Sequence, residues 1–480
     1  LITNNGTIAN DKEVGIYSNG TNTKVKNSGT GAISNNSNYG IYAENGSNVE
    51  NEGSISNNGD FGIYTSGNDT KAINKGNISN IGRYGMKAEN DSYIENSSTG
   101  IISNNGDYGM SIDSSSNGKN DGIVNNDGDY GVFTQSNFIN DGEIKNSGDF
   151  GLNALGNITV VNNGIIENEK NYGMSADNNS YIENSLSGMI SNGGNYGMSI
   201  SSGSKGLNNG LIQNSGDFGV YSNSEFTNNG TIQNKGVNGI FADNGAIVVN
   251  NGIINNNNNL GINATNGTVT NSSTGIIANK GEYGIYAANS SHINNYGNFS
   301  NDGNFGVYAD ENGTIAINTG IISNTGNYGM YIETGAQGVN NGTIENNNNF
   351  GVYSQSEFTN NGTIQNNGAH GINTYGNGIV TNNGTIKNKG DYGFSAMAGS
   401  QITNNYIIAN TNDIGMYLSD SGTKGINSST GIIQNLGSFG IFIDNSASGE
   451  NNGIIRNNGN YGFTIDNNST GVNNGEISNN

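Results

Sequence analysis

Proline and cysteine are both missing from this 480-residue chain, and tryptophan is missing with them. Proline would delete a backbone donor, so its exclusion suits strands that must each hydrogen-bond to neighbours. Without cysteine there is no disulfide framework and no thiolate metal site. The same lack suits a chain that crosses an oxidising compartment while unfolded, where stray disulfides would block its passage. Charged residues are only 12% of the chain, with two histidines, His292 and His370, and two arginines, Arg83 and Arg456. A net charge of −22 argues against a nucleic-acid partner, whose phosphates demand the opposite sign. No run of 18 apolar residues exists, so no segment reads as a membrane-spanning helix. At 31% hydrophobic residues the chain cannot build a thick globular core, and disorder is the ordinary expectation for such a composition.

What the chain has instead is 78 glycines and about 100 asparagines, held in phase. The stretch Gly-x-Ile-x-Asn occurs 22 times, from Gly6-Thr7-Ile8-Ala9-Asn10 to Gly475-Glu476-Ile477-Ser478-Asn479. Val124 and Phe299 replace Ile once each, Tyr406 replaces Gly once, and the Asn never changes. On a strand, positions i and i+2 share a face, so Ile and Asn point the same way. Seven residues after each Ile comes a Gly, most often preceded by Tyr or Phe and always followed by an apolar residue, as in Tyr108-Gly109-Met110. Successive copies lie 20 to 25 residues apart. A period in that range is the mark of a solenoid and outranks local propensity. Disordered sequence has no reason to keep such phase.

Each coil reads as three short strands. The first is Gly-x-Ile-x-Asn, and the second is aromatic-Gly-apolar-x-small, as in Tyr283-Gly284-Ile285-Tyr286-Ala287. A weaker third is typified by Asn48-Val49-Glu50-Asn51 and Tyr181-Ile182-Glu183-Asn184. One coil buries too few apolar side chains to offset the ordering of its backbone, so only stacked coils hold. The expected fold is all-β, a parallel β-helix of about 21 coils of about 22 residues, forming one elongated domain over 1–480. Stacked Asn amides at the invariant position can donate to the carbonyl of the next coil. All length variation falls between the aromatic-Gly and the next Gly-x-Ile. The shortest coils share a lone Phe, at Phe138, Phe226 and Phe358, spaced four and then six coils apart, so the array grew by duplicating blocks. Both termini fall mid-repeat without polar caps or a signal peptide, which predicts a segment of a longer chain.

Repeats of this form, Asn228-Asn229-Gly230-Thr231-Ile232, Asn360-Asn361-Gly362-Thr363-Ile364 and Asn382-Asn383-Gly384-Thr385-Ile386, together with Gly148-Asp149-Phe150-Gly151 and Gly390-Asp391-Tyr392-Gly393, resemble the passenger domains of fusobacterial-type autotransporter (type V secretion) adhesins. The resemblance covers essentially the whole chain. It implies a right-handed parallel β-helix displayed on the bacterial cell surface or secreted, anchored by a C-terminal β-barrel lying outside this sequence.

The residue two after each Gly is expected to face outward. It is tyrosine in runs, Tyr17, Tyr42, Tyr64 and then Tyr286, Tyr308, Tyr331, Tyr353, with Lys87, Ser111, Asn153, Ser175 and Ser199 between them. Tyr286, Tyr308, Tyr331 and Tyr353 are the candidate ligand-contacting residues, since exposed aromatics with a polar handle suit sugar faces and protein partners. The bland alternative is that they stack and cover the sheet. Asp107, Asp129 and Asp149 precede the aromatic in successive coils and could bind calcium, but no calcium-loop pattern accompanies them, and solvated turn residues are the better reading. No catalytic set, cofactor motif or metal-ligand spacing is found, and the two histidines lie about four coils apart. The expected role is an adhesin segment, not an enzyme, contacting surface glycans or proteins of host cells or other bacteria. A rigid spacer is the alternative, ahead of a polysaccharide-acting β-helix enzyme. An ice-binding face would need a regular threonine array that the mixed outward positions do not supply.

Overall fold

A computed structural model describes residues 1–479. Its regular elements among those residues are all β-strands, 65 of them, with no helix. The chain divides into two compact units, Leu1–Val237 and Asn238–Asn480, each built the same way. Within a unit the chain passes in turn through three sheets of parallel strands, about eleven coils in all. The fold is a three-stranded parallel β-solenoid. One coil of the second unit is Thr343–Asn346, Phe350–Ser354 and Glu357–Asn360, taken here as the Ile sheet, the aromatic sheet and the third sheet. Equivalent residues pair between coils: Ile344 with Ile364, Val352 with Ile372, Phe358 with Val380.

The spacing of Ile and Gly has a steric cause. Ile344, Ile364 and Ile386 are fully buried. A Cβ on Gly329 would lie 2.5 Å from Cγ2 of Ile344 in the following coil and 2.4 Å from the carbonyl oxygen of Gly351. Each Gly therefore gives up its side chain to the next coil's Ile. Phe299, the one aromatic in the Ile column, uses the same space, because its Cζ would stand 1.8 Å from a Cβ on Gly284.

The rest of the core is matched by volume, as close packing requires. The last inward residue of the aromatic strand and the inward residue of the third strand are sized against each other. Ala88 goes with Ile94 and Ala176 with Ile182, all buried. Where the first becomes Ile112, Ile200, Ile332, Leu418, Ile443 or Ile465, the second becomes Gly118, Gly206, Gly338, Gly425, Gly449 or Gly471. In each case a Cβ on that Gly would stand under 3 Å from the larger side chain. The lone phenylalanines follow the same logic between coils, with Phe138 beside Gly118, Phe226 beside Gly206 and Phe358 beside Gly338.

Asparagine forms two buried ladders in each unit, where sequence reasoning anticipates one. At the end of the Ile strands, Asn35, Asn57, Asn80 and their successors run coil to coil, and in the second unit so do Asn324, Asn346 and Asn366. The end of every third-sheet strand is also Asn, as in Asn318, Asn340 and Asn360. The bonding is as expected, each amide donating to the amide carbonyl of the next coil. Nδ2 of Asn346 donates to Oδ1 of Asn366 at 3.0 Å, so the amides bond to one another, and the same group also reaches the carbonyls of Asn348 and Asn327 at 2.9 and 3.3 Å. Each amide thus satisfies itself and the strand end beneath it.

The variable interval covers two corners, the turn from the third sheet to the Ile sheet, which is two residues long after Asn51 and four after Asn96, and the corner between the aromatic and third sheets. Longer coils place left-handed residues at the second of these, such as Asn90, Asp91, Asn178, Asn179, Asn289 and Ser290. The three Phe coils omit them and turn tightly, with Ser222 Oγ and Ser354 Oγ each donating to a carbonyl two residues on.

Candidate functional site

The outer side of the aromatic sheet carries two columns of rings. The first holds the aromatics preceding each Gly. In the first unit Tyr39, Phe61, Tyr84, Tyr108, Tyr130, Phe150, Tyr172, Tyr196 and Phe218 form an unbroken stack, with centroids 4.6–5.1 Å apart and planes within 9° of parallel. In the second unit Tyr283, Phe305, Tyr328, Phe350, His370 and Tyr392 stack at 4.7–5.1 Å, with planes within 18° of parallel. The aromatic at a fixed position in paired parallel strands is the sequence signal for this stack.

The second column is the anticipated one. Tyr286, Tyr308, Tyr331 and Tyr353 all lie on this face, half-buried, and stack in order at 5.5, 4.9 and 4.8 Å. Each also meets the first column edge-on, Phe305 with Tyr308 at 5.1 Å and Tyr328 with Tyr331 at 5.1 Å. The two columns make a continuous aromatic plate across four coils. Its rim is acidic. The Tyr308 hydroxyl donates to Oε2 of Glu333, and the Tyr286 hydroxyl to Oδ2 of Asp310 at 3.4 Å. Burial first, and then the Asp310 charge, push the Tyr286 phenol up to about 12. Burial and then the Glu333 hydrogen bond raise Tyr308 further still. Burial and then the Glu333 charge raise the Tyr331 phenol in the same direction. Asp310, Glu311 and Glu333 belong to no ion pair among the described residues, in contrast to the paired acids of the first unit such as Glu52, Glu89 and Asp141.

Between the tyrosine runs the second column changes character. Ser111, Asn153, Ser175 and Ser199 take outward positions yet are buried. Asn153 Nδ2, Ser175 Oγ and Ser201 Oγ all donate to the Asp177 carboxylate. This part of the face is closed by its own hydrogen bonds.

His370 replaces an aromatic in the first column. Its ring lies 4.8 Å from Phe350 and 4.7 Å from Tyr392, and Nδ1 is 2.9 Å from Ser395 Oγ. Burial in the stack lowers its pKa to about 4. The unfolded chain takes up this proton near pH 6.5, while the folded chain resists it until about pH 4. The stabilisation by neutral His370 is therefore complete above about pH 6.5 and is lost as pH falls toward 4, by up to about 3 kcal/mol. Denaturant titrations at pH 7 and 4.5 should show that extra acid loss in the natural chain and not in His370→Phe. His292 sits exposed on the third sheet, on another face of the solenoid.

The row Asp107, Asp129, Asp149 is a turn column bracketed by donors. Arg83 Nε meets Asp107 Oδ2 at 3.2 Å, and Asn171 Nδ2 meets Asp149 Oδ1 at 3.0 Å. No grouping of His, Asp or Glu suited to a metal ion occurs among the described residues. An open groove of about 640 Å³ along the Ile sheet of the first unit is lined by Asn125, Lys145, Glu167 and Ser191, and its lysine is already held by Glu143 at 2.9 Å. No protein-family model matches the chain, and no curated protein is significantly similar to it.

Proposed function

We propose that this chain is a segment of a bacterial surface adhesin that attaches through the faces of its solenoid to glycans or proteins on host cells or other bacteria. The aromatic plate of Tyr286, Tyr308, Tyr331 and Tyr353 carries the reading. Four stacked, pre-ordered rings lose almost no freedom on binding and present both π faces and polar edges, the combination that dominates protein and sugar recognition. The resemblance to type V passenger repeats supports surface display. Catalysis has no supporting cluster in this reading, and no cofactor enters it.

The purified chain, tested on a glycan array and on host-cell and bacterial surfaces, should bind. The pair Tyr308→Ser and Tyr331→Ser should then reduce binding about tenfold or more. Its circular dichroism should be unchanged. Unaltered binding by that variant would remove the tyrosine plate from the interface. A second reading, a rigid spacer, is favoured by the self-sufficiency of the plate, whose rings and hydroxyls find partners within the chain. A well-folded sample that binds nothing decides for the spacer.

A further inference from the structure

In the first unit a lysine of the chain itself occupies the aromatic face. Lys87 stands where the second column has tyrosine elsewhere, paired in register with Tyr64 of the preceding coil. Its Nζ lies 4.8 Å from the centroid of Tyr84 and pairs with Oε1 of Glu89. The other oxygen, Oε2, accepts the Tyr64 hydroxyl at 2.6 Å. A ring, a carboxylate and a tyrosine that fixes the carboxylate together hold one ammonium, whose side chain is only 14% exposed.

The second unit repeats this arrangement without the lysine. Tyr308 donates to Oε2 of Glu333, the same relation between successive coils as Tyr64 to Glu89. Tyr328 stands in the place of Tyr84, and Tyr331 in the place of Lys87. Asp310 holds the position equivalent to Glu333 one coil earlier, so the two residues stand on adjacent coils about 5 Å apart along the sheet. Neither belongs to an ion pair among the described residues, and the unit has 5 basic residues against 15 acidic ones.

We propose that Tyr331, Tyr353, Asp310 and Glu333 form a docking site for lysine side chains of a basic partner polypeptide. The ammonium groups meet Glu333 and Asp310 beside the tyrosine rings, as the ammonium of Lys87 lies over Tyr84 within the chain. A polypeptide fits better than a lone cation. Alternate side chains of an extended strand are about 7 Å apart, a spacing that reaches both carboxylates at once. The excess of acid on this unit steers such a segment toward the face. The assignment rests on the adhesive reading of the same plate and names the chemistry of its partner.

The test uses the whole chain and an octalysine peptide, with fully ε-acetylated octalysine as the control probe. Octalysine should bind and the acetylated peptide should not. Glu333→Gln, which keeps an acceptor for Tyr308, should weaken binding about five- to tenfold, and Asp310→Asn serves if that variant folds poorly. Glu345→Gln removes an equal charge from the exposed side of the Ile sheet and should change affinity less than about twofold. Equal losses from Glu333→Gln and Glu345→Gln would mean that only the diffuse negative field acts, and would overturn the site. So would the absence of octalysine binding. A chain that adheres to cells or glycans yet ignores octalysine sinks this assignment and leaves the adhesive reading standing. One that takes octalysine through Glu333 but adheres to no surface does the reverse.

Discussion

Asn346→Ala is expected to cost about 3–6 kcal/mol, a severe effect for one exchange at the end of a strand. The amide of Asn346 accepts from Asn324 Nδ2 at 3.0 Å and donates to Asn366 Oδ1 at 3.0 Å, and it also serves the carbonyl of Asn348 at 2.9 Å. The three ladder amides of Asn324, Asn346 and Asn366 lie out of water. Alanine leaves a donor on one coil and acceptors on two others unmet, each at about 1–3 kcal/mol. Asn346→Asp should be no better, because a carboxylate still accepts from Asn324 but has nothing to offer Asn366. Since each coil contacts only its neighbours, the loss should be local. Hydrogen exchange and limited proteolysis between residues 322 and 368 are the measurements to make. A loss below about 1 kcal/mol would show that the ladder contributes register and not stability.

Gly329→Ala should be comparably damaging, at about 3 kcal/mol or more, for a different reason. The added methyl would meet Gly351 carbonyl oxygen at 2.4 Å, and that atom is backbone within a hydrogen-bonded sheet. Two coils must part to admit it. The comparison is Gly376→Ala, in a corner with φ of +65° and nothing within 4 Å of the new Cβ. There the cost is backbone strain alone, about 1 kcal/mol. Melting curves of the two variants should separate clearly. Equal small losses would contradict the interlock of Gly and Ile between coils.

The solenoid is legible in the sequence because its strongest constraints act at single positions. An Ile that fills the space vacated by a Gly one coil away must recur with its partner, and so the period shows. The tyrosine column was legible for the same reason: alternation along the strand turns the residue two after Gly outward. Two features are harder to read. The second Asn ladder is carried by a residue as invariant as the first, but its strand has no constant apolar neighbour to draw notice, with Gly118, Phe138, Ala316 and Ile94 all serving inward. The burial of Ser111, Asn153, Ser175 and Ser199 depends on what surrounds them, which alternation does not register.

The pairing of Phe138, Phe226 and Phe358 with a glycine in the preceding coil has a genetic consequence. Tandem DNA repeats gain and lose copies by slippage, and any in-frame event near one period would leave the reading frame and the three-sheet path intact. A deletion that removed the coil bearing Ile332 and Gly338 would nonetheless set Phe358 against Ala316, where a methyl occupies the space its ring requires. Alleles that differ in copy number should therefore break between cassettes, carrying each phenylalanine together with the glycine that shelters it.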